Sequence, residues 1–338
     1  MKNQRKKRFC SIIALITMVV LTGMVSEARA KVVKLSTVQM PHMQMGKISS
    51  KFAEIVNNDS QLKKHVQIRV YPSAQLFGGK EEIQALSRGE LEMAFVVGGR
   101  LQILDSAFEF YELPFLFPSI DASVKIMKGD IGKQIFGKLA KHNIVSLGSV
   151  FSGSYVISNS KRPLLMPADF ANLKLRSHSR LTKSILESLG ATAVVIASEE
   201  VFSSLQQGVI DGLITPNEVY LRRKYFGIQK HVTDTGMLNY AAAILLANTD
   251  FWNGLPADVR GKLAEIIEKV ITENHNETVG NDKNYFKEIE SKGNIVYHLT
   301  AQQKAAWEAA TKVIYDKFGP AIGMDVIQRI QAQAKSIK

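Results

Sequence analysis

A single arginine carries most of the chemistry this sequence offers. Leu173-Lys174-Leu175-Arg176 reads as a short strand ending on Arg176, and Ser177-His178-Ser179 then leads into a helix. A guanidinium at a strand end that faces a cleft presents a planar fork of donors, and that fork matches both oxygens of one carboxylate. Spacing alone leaves an ordinary surface arginine as the alternative. The residue types that other chemistries need are missing or scattered. There is no Gly-x-Ser-x-Gly elbow and no Gly-Lys-Ser/Thr phosphate loop, and Gly78-Gly79 is too sparse to cradle a phosphate. The seven histidines contain no His-x-His or His-Glu-x-x-His pair, so no zinc site is expected. Glu199-Glu200 fits the first turn of a helix, where the macrodipole favours acids, better than a general-base pair. The only cysteine, Cys10, falls in the leader described below, so the mature chain has no thiol for a disulfide, a metal or a nucleophile. The expectation is a binding protein without cofactor or metal, not an enzyme.

The elements that must position Arg176 alternate between strand and helix. Val32–Val38 reads as a strand, and Met45, Ile48, Phe52 and Ile55 then recur at helical spacing. Val66, Ile68 and Val70 alternate with polar residues, as in a strand with one buried face. Pro72 and Gly78-Gly79 punctuate the way to a helix over Lys80–Ser87 and a buried strand over Met93–Val97. Phe108–Phe117, rich in aromatics, reads as a packed turn. A helix over Asp130–Lys141 and a strand over Ile144–Val150 follow. The alternation then repeats: strands at Ser154–Asn159, Leu173–Arg176, Ala193–Ile196 and Ile210–Ile214, with helices at Arg180–Leu189 and Glu199–Gln207. Such βαβ alternation predicts largely parallel sheets. After an apolar strand at Ala241–Ala247, the stripe from Val259 to Ile271 continues as helical composition towards Ser291. A helix of that length suits a rod lying across two lobes. Thr300 and Gln303 predict a capping box opening a further helix.

The chain has 338 residues, more than one ordinary core holds and enough for two lobes. Its first thirty residues stand apart. Lys2, Arg5, Lys6, Lys7 and Arg8 precede an apolar run from Ile12 to Met24, and Ala28-Arg29-Ala30 has the small-x-small pattern of a cleavage site. This reads as a secretory signal peptide (residues 1–30) cleaved before Lys31, with a periplasmic destination; the run is short for a membrane anchor. Cys10 precedes the apolar run, where a lipid-acceptor cysteine would follow it. The formal charge of +12 becomes +7 without this leader, and the remaining basic residues form no stripe of the kind nucleic-acid binding needs.

The ordered motifs resemble the periplasmic solute-binding subunits of TRAP transporters, the C4-dicarboxylate-binding (DctP-like) family. Tyr71-Pro72-Ser73-Ala74-Gln75-Leu76, Leu113-Pro114-Phe115-Leu116-Phe117, Asp169 to Arg176, Leu189-Gly190-Ala191 and Leu205 to Gly212 with Pro216 match that family's pattern in order. The resemblance implies that Arg176 makes a two-pronged salt bridge to a substrate carboxylate and that Thr215, before Pro216, offers a polar contact. Asn217 is left between capping and contact. Two positions depart from the family's sialic-acid members: Ser154 stands where they carry a second arginine, and Val96-Val97-Gly98-Gly99 where they carry a glutamate. Arg100 is read as an exposed arginine at a helix start, with compensation for the charges missing at these positions as the alternative. Strand-end topology nominates Gln39, His42, Gly98, Phe151 and Tyr240 as further lining residues.

The fold expected is α/β, a two-lobed periplasmic binding protein of type II kind with a long helix spanning both lobes. The first lobe takes 31–151 plus 241–280, and the second 152–240 plus 281–338. The function implied is capture of a small organic acid between the lobes and delivery to the small and large TRAP membrane subunits, by a monomer that binds no nucleic acid. An ABC-transporter or sensor binding protein, and a periplasmic enzyme on the same scaffold, are the alternatives.

Overall fold

The computed structural model describes residues 30–151, 153–236, 238–239 and 242–337. The leader up to Arg29, and with it Cys10 and most of the expected signal peptide, lies outside the described residues, as do Tyr240 and Ala241. Among the described residues, no helix is long and apolar enough to cross a membrane.

The strands, in chain order, are β1 (Lys31–Thr37), β2 (Val66–Tyr71), β3 (Met93–Val97), β4 (Ile144–Phe151), β5 (Tyr155–Asn159), β6 (Lys174–Ser177), β7 (Thr192–Val195), β8 (Gly212–Pro216), β9 (His231–Asp234), β10 (Ala242–Asn248) and β11 (Ile295–His298). They form two sheets, ordered β2-β1-β3-β10-β4 and β11-β9-β5-β8-β6-β7. Each is built on a parallel trio joined by helices. β1 pairs in parallel with β2 and β3, and β6 in parallel with β7 and β8. Beside each trio lies an antiparallel strand that has just crossed from the other sheet: β10 against β3, and β5 against β8. This exchange makes the molecule two-lobed, with two strand-to-strand crossings between the lobes in addition to those made by the helices that follow. It also explains why β10 is apolar at nearly every position: it is buried along its whole length.

The 35-residue helix Ala257–Ser291 braces both lobes. Its first half buries Val259, Leu263, Ile267 and Ile271 with Leu35, Phe52 and Phe95 of the first lobe. Its last turns bury Phe286 and Ile289 with Val156, Leu213 and Tyr220 of the second. Where β4 crosses to β5, Gly153 adopts φ +97°, and a Cβ there would stand 2.5 Å from Asn217 Oδ1. Only glycine fits that bend.

The helix Ala301–Thr311, opened by the Thr300/Gln303 capping box, seats Trp307 against Phe170, with its ring N–H on the Leu165 carbonyl at 2.9 Å. The chain does not stay with the second lobe. Its last helix, Met324–Ser336, buries Val326, Ile327 and Ile330 in one cluster with Ile126, Ile131 and Ile135 of helices Ile120–Lys128 and Asp130–Gly137. The expectation that 281–338 belongs wholly to the second lobe is corrected here, because that apolar stripe has its partners on the first. The helix Ile120–Lys128 and strands β9 and β11 were not expected from the sequence. The aromatic segment at 108–117 is met by a short 3-10 helix over Ser106–Glu112.

Candidate functional site

Adjacent parallel strands bring two of the expected residues together. Arg176 near the end of β6 lies beside Leu213 of β8, so Arg176 and Thr215 emerge at the same carboxyl edge. Both are buried, at 5% and 3% exposure. The Arg176 guanidinium donates to the Ile196 carbonyl (3.0 Å), the Ile214 carbonyl (3.4 Å) and the Ser198 hydroxyl (3.4 Å). All three acceptors are neutral. Burial lowers its pKa to about 10; Tyr225 and Tyr155 oppose that shift, while Arg100 and Arg223 add to it. The group stays charged at physiological pH, without a carboxylate partner among the described residues.

A cavity of about 310 Å³ opens in front of it, between the lobes. The second lobe contributes Tyr155, Arg176, His178, Ser198, Thr215 and Arg223. The first contributes Gln39, Met43, Arg100, Gln102 and Glu112. Gln39 is fixed by its side-chain carbonyl, which accepts the Met45 N–H at 2.7 Å. Arg100 is half-buried in the 3-10 helix Gly98–Ile103, so the reading of an exposed arginine is corrected. A glycine of an earlier element, the helix Gly79–Ser87, explains its course. The guanidinium lies against Gly79, where a Cβ would stand 1.9 Å from Nη1.

Glu112, 5% exposed, ties the two lobes at the cavity wall. Its carboxylate accepts from the Ser179 and Thr182 hydroxyls and faces His178 Nε2 at 3.4 Å. Burial alone would raise its pKa, but His178, Ser179 and Thr182 together hold it below the usual carboxylate value. Tyr155 stacks on the His178 ring, 5.6 Å between centroids. With Glu112 engaged in this way, Arg100, Arg176 and Arg223 outweigh the remaining acid on the wall, Glu199, and the cavity is positive. Two guanidinium groups from opposite lobes suit an anion with charge at both ends.

His42, Gly98, Phe151 and Ser154, also expected, are not on this wall. His42 is an exposed turn residue. Gly98 packs under the Tyr111 ring, where a Cβ would meet it at 2.9 Å. Phe151 is 1% exposed in the core, and its carbonyl accepts from the Gln44 amide. Ser154 is held by Asp282 of the long helix through its N–H (2.9 Å) and hydroxyl (2.8 Å), and Asn217 donates to the same carboxylate at 2.8 Å. Ser154 and Asn217 therefore knit the crossover to the helix. Glu112, His178 and Arg223 were missed, and Arg100 was weighed but set aside as exposed. A signal for Arg100 existed, since it follows the Gly-Gly at the carboxyl end of β3; Glu112 had none, as it comes from a turn packed across the lobes.

Comparison with known proteins places this geometry. Residues 35–320 match the model for DctP, bacterial extracellular solute-binding protein, family 7. The chain is 33% identical over 312 residues to the C4-dicarboxylate-binding periplasmic protein DctP of Rhodobacter capsulatus, covering 89% of this chain and 90% of that protein. The structure is similar to a TRAP periplasmic solute-binding protein from Sulfurospirillum deleyianum with bound succinate, with TM-score 0.81 and 28% identity over 89% of this chain and 98% of that one. It is also similar to one from Shewanella oneidensis with bound succinate, with TM-score 0.84 and 25% identity over 90% and 99%. These relatives are solute-binding proteins rather than enzymes, and share the two-lobed fold. The chain belongs to the DctP family of bacterial extracellular solute-binding proteins, family 7.

Proposed function

We propose that this solute-binding protein captures a short dicarboxylate between its lobes and hands it to the membrane subunits of a TRAP transporter. The observation that carries the proposal is Arg176: a buried, charged guanidinium whose protein contacts among the described residues are all neutral acceptors, opening on the cavity between the lobes with Arg100 on the far wall. A buried charge is costly unless it is paired, so the fold invests in a cation that an anion from outside would stabilise. Arg176 takes one carboxylate in a forked pair, Thr215 and Gln39 offer polar contacts, and Arg100 takes the second carboxylate. Relatives that bind succinate or carry a C4-dicarboxylate name support the same class. The residues before Lys31 act as an export signal in this reading. The two lobes are linked through the crossovers from β4 to β5 and from β9 to β10, and the anion favours the closed arrangement by bridging them.

The test is a thermal-shift panel of succinate, fumarate, malate and glutarate beside acetate, lactate and glucuronate. A ligand at a hundred times its Kd stabilises the native state by ~2.7 kcal/mol, which raises the melting temperature by several degrees. The C4 diacids should shift it and acetate should not. A shift with glucuronate alone would overturn the dicarboxylate reading.

A further inference from the structure

One buried acid plays no part in the reading so far. Glu82 sits on the helix Gly79–Ser87, one turn after the glycine on which the Arg100 guanidinium rests. It is 1% exposed, and neither carboxyl oxygen has a hydrogen-bond partner. The Ser36 hydroxyl, at the carboxyl end of β1, is likewise buried and faces Glu82 outside full hydrogen-bond geometry, so it eases the acid's burial only in part. The elements packed on this helix offer Glu82 almost nothing else. β3 and β10 carry no ionisable side chain, and Gly98–Ile103 brings Arg100 alone. On β1, Lys34 is turned to Glu90 and Glu92 at the opposite end. Glu81, on the same helix, lies beside Gly78. Arg100 is thus the charged group that Glu82 senses, and Arg100 also lines the cavity.

We infer that Glu82 is the positioning residue for Arg100: ionised, it draws the guanidinium back towards its own helix, and protonated, it releases the guanidinium to a ligand carboxylate. The inference rests on the dicarboxylate reading above. Burial raises the Glu82 pKa to about 7, with Ser36 and Arg100 opposing, so both forms are populated near neutrality. An anion on Arg100 removes the group that favours the charged form and adds a negative charge nearby. Both effects raise the Glu82 pKa further, so ligand binding takes up a proton from solvent and affinity falls as pH rises through neutrality. The proton moves from water to the Glu82 carboxyl; no bond in the ligand changes.

The experiment is calorimetric titration of fumarate, both of whose carboxyls are ionised over this range, at pH 6 and pH 8 in buffers of different ionisation enthalpy. The wild-type protein should bind about tenfold more weakly at pH 8 and show buffer-dependent heat that reports proton uptake. Glu82→Gln mimics the protonated form. It should bind at pH 8 as tightly as the wild type does at pH 6, without the proton uptake. His178, which also lines the cavity, is common to both proteins, so the difference between them reports Glu82. Wild-type binding that is independent of pH, or a Glu82→Gln profile like the wild type's, overturns the inference. If neither fumarate nor succinate binds at either pH, the dicarboxylate reading is what fails. Glu82 is then judged without ligand. Its raised pKa stabilises the fold below the unfolded carboxyl value and loses that contribution as pH rises to about 7. The melting-temperature difference between wild type and Glu82→Gln should therefore change between pH 5 and 7 and hold constant above; a difference that does not vary with pH overturns the inference there too.

Discussion

Arg176 is expected to act on binding and on stability in opposite directions. Without ligand, its buried charge is met among the described residues by two carbonyls and a hydroxyl. Arg176→Ala should therefore leave the melting temperature of the free protein unchanged or higher, while the shift induced by succinate disappears. Losing one member of a buried charge pair costs ~3–5 kcal/mol, or a few hundred- to a few thousand-fold in Kd. Arg176→Lys should recover little of it, because an ammonium lacks the planar fork. Calorimetry on the two variants checks both statements; tight binding by Arg176→Ala removes the residue from the site. Glu112 makes a separate prediction at this scale. Its pKa is held low in the fold, so it contributes stability above the unfolded carboxyl value and loses it as pH falls below about 4.5. Glu112→Gln should flatten that acid limb of the melting curve while costing stability at pH 7.

At the level of elements, two helix starts govern the site. Gly79 opens the helix Gly79–Ser87, and its missing side chain makes room for the Arg100 guanidinium. Gly79→Ala should help the helix slightly, since alanine is the better helix former. The nearest atoms it meets belong to the end of a flexible side chain, so Arg100 is displaced rather than the backbone. The expected outcome is a melting temperature at or above wild type together with roughly tenfold weaker diacid binding, or about 1.4 kcal/mol. Unchanged affinity in a calorimetric titration would show that Arg100 does not reach the ligand. The second start is Ser179, the N-cap of the helix Arg180–Ser188, whose hydroxyl accepts the Thr182 N–H while donating to Glu112 across the lobes. That double use was not legible in the sequence. Ser179 has the signature of a cap, but its acid partner is 67 residues away in a segment with no periodic pattern.

Over the whole molecule, the crossover from β4 to β5 is fastened to the long helix by one carboxylate, Asp282, which serves Ser154 and Asn217 together. Asp282→Ala leaves those donors unpaired and should lower the unfolding free energy by ~2–3 kcal/mol, measured by urea denaturation. Succinate should also reduce the radius of gyration in solution scattering, because the ligand bridges the lobes; an unchanged radius would mean the protein is closed without it. Much of this architecture was legible beforehand. The alternation of Val66, Ile68 and Val70, the unbroken apolar run of β10 and the long stripe from Val259 each report a local environment, and periodicity records such environments directly. The LKLR strand end and the family pattern marked Arg176 for the same reason: strand, turn and helix are contiguous there. Sequence order could not show which distant residues meet. Ser154, Phe151 and Gly98 sit at plausible strand ends, yet the crossover turns Ser154 to Asp282, buries Phe151 in the core and packs Gly98 under Tyr111. The last helix packs on the first lobe although its neighbours in sequence serve the second. Glu112 acquires its partners only when the two lobes stand face to face, and Arg100 and Glu82 acquire their surroundings only when the first lobe folds its separate strands and helices together, because a charge is defined by what surrounds it, and that is a property of the tertiary fold rather than of the chain.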